Sequence, residues 1–115
     1  MRIGHLELPV RDPLAARAFY VEVLGFRHEE TQGGRYVWLS LDGRPLLLNP
    51  DHAPREAPFR ESPNLVLYTE ELEARAAELR ARGLALEGKP PCFRFRDPDG
   101  NWFQLVDPRG DHSGA

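Results

Sequence analysis

The 115-residue sequence has one cysteine, Cys92, one lysine, Lys89, and one methionine, Met1. A single thiol excludes an internal disulfide and any zinc cage built from several thiolates. Long apolar runs are missing too. The longest clear ones, Ala18–Val21 and Leu65–Tyr68, fall far short of the ~18 residues a membrane-spanning helix needs, so no membrane partner is expected. Charge of one sign is also scarce. Basic residues number 15 against 18 acidic, for a net charge of −3. No basic stripe is present, and nucleic acid is therefore not an expected partner. The chain has no G-x-S-x-G, P-loop, H-E-x-x-H or dinucleotide fingerprint, which speaks against a nucleophilic hydrolase. Strand-like sequence starts directly after Met1, so the expectation is no cleaved leader and a cytoplasmic address.

What is present suits a folded domain. Hydrophobic residues make up 41% and charged residues 29%, ordinary globular values. A chain of this length buries ~60–70% of its unfolded surface, enough for a core without staples. Self-similarity organises it. His5-Leu-Glu-Leu-Pro-Val-Arg-Asp12 lies over Asn64-Leu-Val-Leu-Tyr-Thr-Glu-Glu71, and each stretch leads through an Ala-rich helical pattern to a glycine, Gly25 or Gly83. Each half then reaches an Asp-Gly turn, Asp42-Gly43 or Asp99-Gly100. The offsets match: 20 and 19 residues to the glycine, 37 and 35 to the Asp-Gly turn. The chain is thus one domain over 1–115 made of two modules, 1–49 and 64–108. A Pro-rich connector covers 50–63, and a polar tail, 109–115, is expected to fray.

Each module reads β-α-β-β-β, an α+β class. In the first, a strand over about Ile3–Val10 alternates Leu6, Leu8 and Val10 against His5, Glu7 and Pro9. Asp12 is placed to cap a helix with Pro13 at its first position. That helix runs to about Leu24, with Leu14, Ala18 and Val21 as one apolar stripe and Ala15, Phe19 and Val23 beside it. Strands are expected at Phe26–Glu30, Arg35–Leu41 and Pro45–Asn49, with a hairpin-like turn at Thr31–Gly34. In the second module, a helix is expected over Glu70–Arg82, capped by Thr69 and burying Leu72, Ala76 and Leu79. Glu71–Arg75 and Glu78–Arg82 are i,i+4 pairs on its wet side. Strands follow at Leu84–Glu87, Cys92–Arg96 and Asn101–Val106. Arg94 and Arg96 alternate with Phe93 and Phe95, a strand with one wet face; a carboxylate clamp is the functional alternative. Cys92 lacks a basic activator nearby in the sequence, which speaks against a nucleophile.

Three phrases carry a family resemblance: His5-Leu-Glu-Leu-Pro-Val-Arg-Asp12, Ala18-Phe19-Tyr20-Val-Glu-Val-Leu24-Gly25-Phe26, and Phe95-Arg96-Asp97-Pro98-Asp99-Gly100-Asn101-Trp102-Phe103-Gln104-Leu105. In order and separation they resemble the vicinal oxygen chelate superfamily of glyoxalases, bleomycin-resistance proteins and extradiol dioxygenases. The resemblance implies mixed, curved sheets forming a concave cleft. In metal-dependent members a His from each first strand and a Glu from each last strand hold a divalent ion. The corresponding positions here are His5, Leu47, Asn64 and Gln104, which offer one imidazole and no carboxylate.

The resemblance therefore implies a metal-free, cofactor-free small-molecule-binding protein of the bleomycin-resistance type. His5 and Gln104 are vestigial metal candidates. The cleft residues are His5, Glu7, Asn64, Tyr68, Trp102 and Gln104, by strand parity and family position. Glu7 is suited to a positive ligand group, Trp102 to stacking on a planar one. Tyr36 and Trp38 are further aromatic candidates whose face parity leaves open. The alternative reading is a metal-dependent lyase, isomerase or dioxygenase using a divalent ion on His5, Gln104 and Glu7. A third is a structural or regulatory partner that takes no ligand. Short members of the family pair as homodimers, which would combine His5 and Glu7 of one chain with Asn64 and Gln104 of the other.

Overall fold

A computed structural model describes residues 1–51 and 65–110. The chain divides between Phe59 and Arg60 into two compact units. Most of the Pro-rich connector, Asn64 and the end of the tail lie outside the described residues.

The first unit contains β1 (Leu6–Pro9), α1 (Pro13–Ala18), β2 (Arg27–Gln32), β3 (Tyr36–Leu41) and β4 (Arg44–Asn49). The strands form one sheet in the order β1-β4-β3-β2, with β1 parallel to β4 and the other pairs antiparallel. The alternation expected for the first strand sends Leu8 and Val10 into the core with Val37, Leu39, Leu46 and Leu48, whereas Leu6, at the start of β1, is exposed. Asp12 caps α1 as expected: its side chain accepts from the Ala15 N–H at 3.2 Å, with Pro13 in the first turn. The helix continues past Ala18 as a π-helical turn over Phe19–Val23, and Gly25 at φ +85° follows.

The buried stripe of this helix differs from the one expected. Pro13, Ala16 and Tyr20 face the sheet, while Leu14 is exposed. The reason is size. Alanines on every side give the periodicity no contrast, and the largest ring wins the core. Tyr20 is fully buried, edge-on to Phe26 with centroids 5.6 Å apart.

The second unit repeats the plan: β5 (Leu65–Tyr68), α2 (Leu72–Ala81), β6 (Glu87–Lys89), β7 (Cys92–Arg96) and β8 (Trp102–Val106), in the sheet order β5-β8-β7-β6. Phe93, Phe95, Phe103 and Leu105 are buried, as is the α2 stripe Leu72, Ala76 and Leu79. Three expectations need correction. Thr69 is not the helix cap, because its N–H is still bonded to Val106 O of the sheet; the chain turns helical only after Glu71, whose N–H Thr69 Oγ1 accepts. Arg75 pairs with Glu78 rather than Glu71. Leu84–Glu87 is not a strand, because Leu84 N–H closes the end of α2 by donating to Leu79 O at 3.0 Å. With Gly83 at φ +94° donating to Arg80 O, this is a Schellman ending, and β6 begins only at Glu87. Among the described residues no helix is long and apolar enough to cross a membrane.

Candidate functional site

The face of the first sheet turned away from α1 carries its chemistry. Strand register aligns Glu7 of β1 with Leu47 of β4 and Trp38 of β3 in one row across the sheet. His5 lies two residues before Glu7, just ahead of β1. Its Nε2 donates to Glu7 Oε2 at 2.8 Å, and its ring stands edge-on to Trp38 with centroids 4.7 Å apart. Asn49 Nδ2 donates to the other Glu7 oxygen at 3.0 Å, so both carboxylate oxygens are engaged. Asn49 Oδ1 in turn accepts from the Asp51 N–H at 2.9 Å. The Trp38 indole N–H donates to Gln32 Oε1 at 2.8 Å, which fixes the ring plane. Tyr36 donates its hydroxyl to Asp51 at 2.7 Å. That bond, ahead of burial and the Asp51 charge, raises the Tyr36 pKa, with Arg35 opposing. Tyr36 and Trp38 thus share the Glu7 face, which parity alone left open.

The described donors at the family metal positions do not fit a divalent transition ion, which wants several imidazole or anionic donors at ~2.0–2.2 Å. Leu47, buried beside Glu7, has nothing to donate. His5 and Glu7 are bonded to each other, and Asn49 takes the remaining Glu7 oxygen. Among the described residues no three His, Cys, Asp or Glu side chains come together to hold a metal.

The open face of the second sheet carries different residues. One row runs Val66, Gln104, Arg94, Glu87 and a second Tyr68, Val106, Cys92, Lys89. Trp102 pairs with Arg96. Val66 and Tyr68 are exposed, Tyr68 to 71%, and Gln104 is half-buried. Trp102 is buried, with Arg96 Cζ 3.9 Å and Arg94 Cζ 5.2 Å from its ring centroid. What β7 and β8 together present outward is guanidinium more than indole.

Sequence and structure searches agree with this architecture. A family model described as the Glyoxalase/Bleomycin resistance protein/Dioxygenase superfamily matches residues 2–105. The chain belongs to that superfamily. No curated protein matches it significantly. Among solved structures, TnmS3, described as an antibiotic binding protein from Streptomyces sp. CB03234, is 31% identical over 94% of this chain and 98% of its own, with a TM-score of 0.68. UcmS2 is 26% identical over 93% of this chain and 98% of its own, at 0.72. A lactoylglutathione lyase from Agrobacterium tumefaciens shares the fold, at 22% identity over 94% of each chain and a TM-score of 0.70.

Of the residues expected at the site, His5 and Glu7 are in direct contact. Gln104, Tyr68 and Trp102 share the open face of the second sheet, and Asn64 lies outside the described residues. Asn49 and Gln32, which hold Glu7 and Trp38, were not anticipated. Asn49 was within reach, since it sits one side-chain repeat beyond Leu47 on the same strand. Gln32 was not, because the hairpin joining β2 and β3 sets its place.

Proposed function

We propose that this superfamily member is a metal-free protein that binds and sequesters a small aromatic or amphipathic molecule, and that it works as a homodimer. The observation that carries the reading is the closed triad His5–Glu7–Asn49 beside the apolar Leu47. Side chains that would have to turn outward to grip an ion instead satisfy one another. Breaking them apart would leave polar groups to be re-solvated, at about 1 kcal/mol per bond. The same face offers what a binding surface needs: an aromatic plane, Trp38, pinned by Gln32, next to one anionic group. Likeness to TnmS3, itself described as an antibiotic binding protein, supports binding rather than turnover.

Metal analysis of untagged protein tests the reading. Substoichiometric Ni, Zn, Fe and Mn are expected, together with ligand-induced changes in tryptophan emission that survive exhaustive chelation. A stoichiometric ion that chelator strips, and that His5→Ala no longer takes up, would establish the metal-dependent alternative. Light scattering is expected to give twice the mass of one chain.

A further inference from the structure

Arg96 is a cation held in place without being neutralised. Its Nη1 donates to the Gly100 carbonyl at 3.0 Å and its Cζ sits 3.9 Å from the Trp102 ring centroid. Neither partner carries a charge, and among the described residues no carboxylate lies within 4.0 Å of it. Arg94, besides its place 5.2 Å from the Trp102 ring, makes a long ion pair with Glu87, 3.7 Å between Nη2 and Oε2, at an exposed position. At ion-pair range the two guanidiniums face one carboxylate, Glu87, while the Asp97 carboxylate of the neighbouring loop is taken up by Asp99 N–H, Asn101 N–H and Asn101 Nδ2. Beside Arg96 opens a cavity of about 220 Å³ lined by Leu84, Ala85, Glu87, Phe95, Arg96 and Trp102. An apolar cavity of about 150 Å³ holds one benzene molecule, so there is room here for a single substituted ring.

We infer that the second unit binds a planar, one-ring organic anion, an aryl carboxylate, with the acid on Arg96 and the ring in the cavity that Leu84, Ala85 and Trp102 help to line. Nη1 is committed to Gly100, which leaves the Nε–Nη2 edge of the guanidinium for a two-pronged carboxylate contact. Because the carbonyl and the indole already hold that side chain, little rotamer freedom is lost on binding. Glu87 works against the anion and tunes the site by repulsion. The inference goes beyond the small-molecule-binding reading, which was argued on the first sheet, and names a separate site in the second unit.

Benzoate, benzamide and benzamidine have nearly the same shape and differ in charge. Each is titrated into ¹⁵N-labelled protein while the Trp102 indole and Arg96 side-chain N–H resonances are followed. Benzoate is expected to shift both, with an affinity about tenfold or more above benzamide and higher still over benzamidine, as for a hydrogen bond to a charged group. Arg96→Gln should weaken benzoate about tenfold, Arg96→Lys should do so by less, and Glu87→Gln should tighten it about twofold. Equal affinity for the three probes, or a benzoate response unchanged in an Arg96→Gln protein with native-like spectra, overturns the inference. Either result leaves metal-free binding standing, because that is scored by metal content and by emission titration in chelator. A stoichiometric metal would sink that reading without altering the benzoate ratio.

Discussion

The two sheets are built to one plan and finished differently. Leu8 pairs with Leu48 as Leu67 pairs with Leu105, which sets Glu7 against Val66, Leu47 against Gln104, Trp38 against Arg94 and Ser40 against Arg96. On the buried faces the matched residues are apolar in both units: Val37 and Phe93, Leu39 and Phe95. On the open faces one sheet shows a carboxylate, an imidazole and an indole, and the other shows two guanidiniums over a buried indole, with Glu87 and Lys89 on its edge strand. Burial restricts the inner rows to groups that fill volume without unpaired polar atoms. Nothing of the kind restricts the outer rows, so chemistry there diverges while the fold stays put.

The helices tell the same story with one residue of difference. Tyr20 O accepts from Phe26 N–H at 2.8 Å where Leu79 O accepts from Leu84 N–H at 3.0 Å, so the first unit has one more residue inside the equivalent loop of chain. The π-helical turn over Phe19–Val23 absorbs it. That residue is why the two strand-to-glycine offsets are 20 and 19.

The hardest test of this comparison lies in the matched core positions. Leu39→Ala and Phe95→Ala should each cost about 2–5 kcal/mol in denaturant unfolding, because each leaves a cavity in a fully packed row. Arg94→Ala, one residue away on the open face, should cost below about 1 kcal/mol. An Arg94→Ala loss as large as that of Phe95→Ala would remove the distinction between the two faces.

A smaller contrast separates the two Asp-Gly turns. In the first unit Asp42 and Gly43, both at positive φ, make a two-residue hairpin between paired Leu41 and Arg44. In the second, Asp99-Gly100 sits in a longer loop stapled by the buried Asp97 carboxylate. It accepts from Asp99 N–H, Asn101 N–H and Asn101 Nδ2 at 2.7–2.9 Å. Asp97→Ala should therefore cost about 3 kcal/mol, the effect of stranding buried donors. Gly43→Ala should cost about 1 kcal/mol, backbone strain alone, since an added Cβ meets nothing there. Thermal unfolding of the two variants should rank them in that order.

How much of this was legible follows from what each signal measures. Repeat offsets and strand parity report backbone periodicity, and they placed two βαβββ modules and put Leu8 inside and Glu7 outside. The first helix was misread because its alanines give the periodicity no contrast: Pro13, Ala16 and Tyr20 keep the spacing of one helical face, and side-chain size rather than pattern selects it over Leu14, Ala18 and Val21. Thr69 looked like a cap because cap preference is local, whereas its bond to Val106 spans the sheet. The site was half legible. His5 and Glu7 lie one side-chain repeat apart and were found together; Asn49, one repeat beyond Leu47, was open to the same parity argument, whereas Gln32 reaches Trp38 through hairpin pairing that no short motif encodes.

The smallest expected effect separates the sheets by pH. Tyr36 occupies the position of Cys92 in the other unit, so only the first sheet carries a phenol there. Its proton is held by Asp51, and removing it would both break that bond and set two anions side by side; the pKa is raised for those reasons. A raised value means the folded state keeps the proton longer than the unfolded chain does. The stabilisation is thus fully present below the ordinary tyrosine value, about 10, and disappears as pH climbs through the folded one. The stability difference between wild type and Tyr36→Phe should accordingly be flat through neutral pH and shrink in alkali. Ultraviolet difference titration of the phenolate should place its midpoint above the ordinary range, and Asp51→Asn should bring it back down. A midpoint at or below that range would mean that Arg35, its Cζ 5.4 Å from the ring centroid, outweighs Asp51.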